Sequence, residues 1–226
     1  MPFTAALFDF DGTLADSFAA ITDSTNFTRN HFGLPALAEE VVREYVGYGL
    51  PNLMQELVPT ANPAAAVAVY REHHKGVALA GTKLVPGVAE TIPELARRGL
   101  RLAVCSNKGV SFTRELVAAL GLADFFDAVL GPEDVGGRAK PDPAMLHEGM
   151  TRTGGTVGTT VYVGDMAIDV HVARAAGVPV WLVPGGASGK ESPTAAGPDR
   201  VLTGFAELLE LLPGSGVGPA SSRPEG

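Results

Sequence analysis

Two pairs of aspartates stand where short apolar runs stop. The first lies in Asp9-Phe10-Asp11-Gly12-Thr13-Leu14, directly after Ala5-Ala6-Leu7-Phe8. Residues i and i+2 at a strand end share a face, so both carboxylates can turn toward one ligand. At that separation they repel each other and call for a divalent cation or a proton between them. The second pair is Asp165 and Asp169, in Gly164-Asp165-Met166-Ala167-Ile168-Asp169, after the apolar run Thr159-Thr160-Val161-Tyr162-Val163. Asp169 lies about one helical turn beyond Asp165, so these side chains can also converge. An acidic turn or a helix cap would explain either pair alone. Carboxylates from two strand ends together make an all-oxygen donor set, which suits Mg²⁺.

Groups that could meet an anion lie at two further places. Ser106-Asn107 follows the apolar run Leu100 to Cys105 and precedes a helical stretch, offering a hydroxyl, an amide and main-chain N–H groups. Lys140 stands in Arg138-Ala139-Lys140-Pro141-Asp142-Pro143, where two prolines stiffen the chain around one ammonium.

These residues need a scaffold that brings strand ends together. Apolar runs at 5–8, 100–105, 128–130, 159–163 and 178–183 each stop at a polar or Gly/Pro turn, as strands buried on both faces do. Helical periodicity over 88–98, 112–120 and 167–176 separates them, each stretch closing on a glycine. Alternating strands and helices predict a mostly parallel α/β sheet, whose ligands bind beyond the carboxyl ends of the strands. Residues 16–84 break the alternation and read as helices over 18–31, 38–46, 50–57 and 63–79, with no convincing strand. The expectation is a core of residues 1–15 and 85–212, a helical insert at 16–84, and a disordered Gly/Ser/Pro-rich tail at 213–226.

Composition narrows the partners. The chain has 226 residues, 46% hydrophobic and 19% charged, enough to bury a sizeable core. Its 17 basic against 25 acidic residues argue against nucleic acid or an anionic membrane as the main partner. One cysteine, Cys105, excludes an intrachain disulfide and a cysteine-rich zinc site. No basic leader or membrane-length apolar run is visible, so a soluble cytoplasmic protein is expected. His73-His74 reads as surface or packing residues rather than a metal pair, and Cys105 and Trp181 as core.

Taken in order, Asp9-Phe10-Asp11-Gly12-Thr13, then Ser106, then Lys140, then Gly164-Asp165 with Asp169 resemble the four motifs of the haloacid dehalogenase superfamily of phosphohydrolases. The resemblance runs from residue 4 to about residue 183, and the helical insert is similar to the cap domain of many members. The run from Leu7 to Ser17, with Val46-Gly47-Tyr48-Gly49 and Ser106-Asn107-Lys108, resembles the phosphoglycolate phosphatase-like subfamily. Dehalogenases of the superfamily lack the second aspartate, present here as Asp11. β-Phosphoglucomutases usually have Val where this chain has Thr13.

The resemblance implies a Rossmann-like core with an inserted helical cap, and Mg²⁺-dependent hydrolysis of a small phosphorylated metabolite through an aspartyl-phosphate. It makes Asp9 the nucleophile and Asp11 the acid and base. Asp9, Asp165 and the main-chain carbonyl of Asp11 would hold the metal. Ser106, Asn107 and Lys140 would meet the phosphoryl group, with Asp169 behind them. A sugar phosphomutase-type phosphotransferase and a non-catalytic phospho-acceptor module are the alternatives.

Overall fold

The computed structural model describes residues 3–60, 62–186 and 191–212. The tail expected at 213–226 lies outside the described residues. The chain opens with β1 (Ala5–Phe8) and β2 (Ala15–Asp16), then runs through α1 (Phe18–His31), α2 (Glu39–Arg43), α3 (Leu50–Leu57) and α4 (Pro63–Val77). It returns through β3 (Lys83–Leu84), α5 (Val88–Arg97), β4 (Arg101–Cys105), α6 (Val110–Ala119), β5 (Ala128–Leu130) and α7 (Ala144–Thr153). The last elements are β6 (Thr160–Gly164), α8 (Ala167–Ala176), β7 (Val180–Leu182), β8 (Arg200–Val201) and α9 (Leu208–Leu211).

Six strands form one sheet in the order β5-β4-β1-β6-β7-β8, and every neighbouring pair is parallel. The short apolar runs become its strands because both faces are covered. Ala6 and Phe8 of β1 face a cluster that includes Val88 and Ile92 of α5 and Leu116 of α6, while Leu7 faces Met145 of α7 and Val170 of α8. Alternation of period two thus feeds two cores from one strand. The chain leaves β1 toward β4 and β5, then crosses back to β6 on the other side. This reversal opens a crevice at the carboxyl end of β1, the place where ligands bind in such sheets.

Differences from the sequence reading have local causes. The strand pair β2–β3 and the edge strand β8 are two residues each, too short to carry a periodic signal. Helix α7 contains Gly149, which weakens its helical pattern. A Cβ there would lie 2.9 Å from Cys105 Sγ and 3.1 Å from Leu7 Cδ1, so the glycine lets the helix lie close on the sheet. Two expected helices are shorter, ending at Arg43 and Val77 rather than Val46 and Leu79.

The helices between β2 and β3 share their own cluster, with Phe18, Val42, Leu53, Met54 and Tyr70. Met166 and Ile168, beside the carboxyl end of β6, belong to it too and join this layer to the sheet. No described helix is long and apolar enough to cross a membrane.

Candidate active site

Asp9 directly follows β1, and its N–H continues the ladder to Val163 O at 2.9 Å. The chain then turns sharply through Phe10 to Ala15. Gly12 holds φ +86°, and a Cβ at that position would collide with the Asp165 carboxylate. Both the backbone conformation and the close approach require glycine. Asp165 directly follows β6, and its Oδ1 accepts a 2.8 Å bond from Thr13 Oγ1. The two acidic motifs, more than 150 residues apart in sequence, therefore meet at the crevice beside β1.

Behind them sits a buried ammonium. Lys140 Nζ, with its side chain fully buried, lies 2.9 Å from Asp9 Oδ2, 2.8 Å from Asp169 Oδ1 and 3.1 Å from the Tyr162 hydroxyl. Burial alone would lower the Lys140 pKa, but Asp169 and Asp9 outweigh it and hold the ammonium charged well above its usual range. Burial raises Asp9 to about 6, with Lys140 pulling it back and Asp169 pushing it further up. Asp169 has its other oxygen occupied as well. Its Oδ2 accepts the main-chain N–H groups of Asp165 and Met166 at 3.1 and 3.0 Å, which pins the start of α8.

Oxygens of Asp9, Asp165 and Asp169 lie within 4.8 Å of one another. The donor count separates their roles. Asp169 already accepts hydrogen bonds from the ammonium, a hydroxyl and two amides. Asp9 Oδ1 is buried and has no hydrogen-bond partner among the described residues. Around it the carboxylates of Asp9, Asp11 and Asp169 meet the ammonium groups of Lys140 and Lys108, with the Asp165 carboxylate beside them. A buried carboxylate oxygen with no hydrogen-bond partner among the described residues, beside other carboxylates, fits a hard divalent cation. Phe10 O and Ala15 O accept bonds in the turn, whereas Asp11 O takes no main-chain hydrogen bond among the described residues.

Asp11 has a different setting. Ser17 Oγ donates to its Oδ1 at 2.5 Å, and Lys108 Nζ approaches the same oxygen at 3.3 Å. It faces a cavity of about 510 Å³ between the sheet and the helical layer. Ser106 is buried at the end of β4 and reaches the same cavity. The Asn107 side chain, expected to meet an anion, is committed elsewhere. Its amide donates to Gly47 O at 3.0 Å and Lys140 O at 3.2 Å, and its carbonyl accepts from Lys140 N at 2.7 Å. It ties the 45–49 turn of the helical layer to the loop that carries Lys140.

Three residues of the site escaped the sequence reading. Tyr162 sits inside an apolar strand, where nothing marks its hydroxyl as a partner of Lys140. Lys108 is signalled only by its place after Ser106-Asn107. His74, read as surface or packing, is 2% exposed and lines the cavity. Cys105 is buried as expected, and burial pushes its thiol up to about 12.

A parallel α/β sheet with carboxylates on the ends of its two central strands, backed by a buried lysine, is the frame of a class of hydrolases. Residues 6–183 match the model of the haloacid dehalogenase-like hydrolase family, and the chain belongs to it. Among its relatives is a plasmid-borne phosphoglycolate phosphatase of Cupriavidus necator, 34% identical over 98% of both chains. A phosphoglycolate phosphatase of Rhodospirillum rubrum is 36% identical, covering 92% of this chain and 90% of the relative. The crystal structure of a predicted phosphoglycolate phosphatase from Haemophilus somnus superposes with a TM-score of 0.83 at 27% identity, over 92% of this chain and 97% of that one.

Proposed function

We propose that this chain is a Mg²⁺-dependent phosphatase of small phosphorylated metabolites that works through a phosphorylated Asp9, with 2-phosphoglycolate as its first candidate substrate. The observation that carries the reading is the buried Oδ1 of Asp9 at the carboxyl end of β1, without a partner among the described residues, while Lys140 holds the other oxygen. The names of the relatives favour phosphoglycolate. The acidic balance and the lone buried thiol suit a cytoplasmic enzyme.

Asp9, Asp165 and the main-chain carbonyl of Asp11 would hold Mg²⁺, which when bound neutralises charge between a carboxylate and a phosphate dianion. The chain's own residues account for the rest. The Asp9 carboxylate attacks phosphorus, forming a P–O bond as the ester P–O bond breaks. Asp11, on the cavity side, gives a proton to the departing alkoxide. As a carboxylate it then takes a proton from water. The water oxygen bonds to phosphorus while the acyl-phosphate bond breaks, which returns Asp9 and releases inorganic phosphate. Lys140, 2.9 Å from Asp9 and locked by Asp169, supplies fixed positive charge beside the reacting oxygens. The Ser106 hydroxyl, which lines the cavity, donates to the phosphoryl group.

Phosphate release from 2-phosphoglycolate, ethyl phosphate, a hexose phosphate and p-nitrophenyl phosphate, with and without Mg²⁺, tests this. A phosphatase releases inorganic phosphate only with the metal. Release after thorough chelation would remove Asp165 as a ligand. A stable phosphoprotein with no release would leave a phospho-acceptor module, and transfer to a sugar a phosphotransferase.

A further inference from the structure

The cavity in front of Asp11 has walls from both layers. From the sheet side comes Lys108, whose side chain is 8% exposed and whose Nζ lies 3.3 Å from Asp11 Oδ1. From the helical side α4 contributes Tyr70 and His74. The His74 ring is fixed on three sides. Its Nδ1 lies 2.9 Å from Ser24 Oγ of α1, one face stacks on Tyr70 at 5.1 Å, and Phe112 meets it edge-on at 5.2 Å. The ring also has a backbone hydrogen bond at Ala20, and its Nε2 is buried without a hydrogen-bond partner among the described residues. Buried polar atoms are nearly always satisfied, so an orphaned nitrogen on a cavity-lining ring is available to a ligand atom. Neither Lys108 nor His74 has a role in the chemistry described above.

Their position relative to Asp11 limits what that atom belongs to. In the proposed reaction Asp11 must touch the leaving oxygen of the substrate. Lys108 touches Asp11, so its ammonium stands within a carbon or two of that oxygen. We propose that Lys108 and His74 Nε2 together form the subsite for the leaving group, and that they select a short leaving group bearing a carboxylate next to the ester carbon. The inference rests on the phosphatase reading and names the part of the substrate that the cap side recognises. Lys108 supplies the charge, and the imidazole supplies a directed hydrogen bond from the facing layer. Burial, followed by the nearby Lys108, holds His74 down to about 4, so a neutral ring does not compete with the ammonium. Tyr70 and Phe112 leave an apolar wall, which disfavours a polyhydroxylated leaving group.

The test compares 2-phosphoglycolate with ethyl phosphate, which share the phosphate and the ester carbon and differ in the carboxylate. In the wild type kcat/KM favours 2-phosphoglycolate. In His74→Leu and in Lys108→Met the ratio of the two kcat/KM values falls about 10- to 100-fold, the size of a lost hydrogen bond to a charged group. His74→Gln, whose amide can reach the place of Nε2, keeps the ratio within about threefold of the wild type. A purely structural role for His74 would lower both substrates together and leave the ratio unchanged, and that result overturns the subsite. Equal use of both substrates by the wild type overturns it too, while leaving the phosphatase reading intact. Hydrolysis of a hexose phosphate or p-nitrophenyl phosphate but of neither of these two overturns the subsite alone, whereas release from none of the four esters overturns the phosphatase reading and this inference with it.

Discussion

Asp9 and Asp11 are separated by one residue, yet the turn at Gly12 gives them different neighbours. Asp9 is pushed up to about 6 by burial and is held on one oxygen by Lys140, whereas Asp11 is met by a hydroxyl and an ammonium on the cavity side. The proposed roles follow from that division and predict different failures. Asp9→Asn abolishes turnover and any covalent phosphate, because an amide is not a competent nucleophile. Asp11→Asn keeps the nucleophile and the main-chain carbonyl but loses the proton donor, a loss of about 10²–10⁴-fold. Ethyl phosphate, whose alkoxide leaves badly without a proton, suffers more than p-nitrophenyl phosphate. With the aryl ester, phosphorylated Asp9 accumulates and adds mass in intact-protein spectra. Equal slowing of both esters with nothing trapped would make Asp11 a structural residue.

At the level of elements, the helical layer is attached to the sheet by a small set of contacts beside the reacting groups. Met166 and Ile168 enter the cluster of α1, α3 and α4, and the Asn107 amide bridges Gly47 to Lys140. The 45–49 turn approaches so closely that a Cβ at Gly47, where φ is +99°, would collide with Met166 Sδ. Asn107 therefore couples the position of the helical layer to the position of the buried lysine. Asn107→Ala leaves the main-chain N–H and carbonyl of Lys140 without their partner and destabilises the fold by about 1–3 kcal/mol. Urea unfolding at constant m measures the shift. The same variant raises KM for 2-phosphoglycolate, because both walls of the cavity lose their common tie. Unchanged stability and KM would mean that the remaining contacts, those of Met166 and Ile168 and of His74 with Phe112 among them, hold the layer.

For the whole molecule, sheet order concentrates charge at one point. With β1 between β4 and β6, the carboxyl ends of three strands bring Asp9, Ser106 and Asp165 to one crevice, and burial leaves their charge unscreened by water. Removing that repulsion stabilises the folded chain, so Mg²⁺ raises Tm in a concentration-dependent way, by about 2.7 kcal/mol of stability at 100 times Kd. Differential scanning calorimetry with Mg²⁺ and with EDTA reads this directly. Asp165→Asn removes most of the Mg²⁺-dependent rise. Asp169→Asn instead lowers Tm with and without the metal, since it leaves Lys140 short of a carboxylate and weakens the start of α8. A Mg²⁺ effect that survived in Asp165→Asn would place the cation elsewhere.

Local chemistry made much of this legible in the amino-acid order alone. Apolar runs of four to six residues that stop at Asp9, Ser106 and Asp165 read directly as buried parallel strands with polar ends, and helical periodicity located α1, α3 and α8 to the residue. Period and punctuation are properties of neighbours in sequence, so they survive without a fold. The pairing of charges is not such a property. That Lys140 divides itself between Asp9 and Asp169, that Lys108 reaches Asp11, that Asn107 joins two loops, and that His74 meets the cavity depend on groups 29 to 131 residues apart. A lysine in a sequence is a charge on a flexible stem. Only the order of strands, and the layer laid across their ends, decides which carboxylate lies within 3 Å of it and whether water is left to screen the pair.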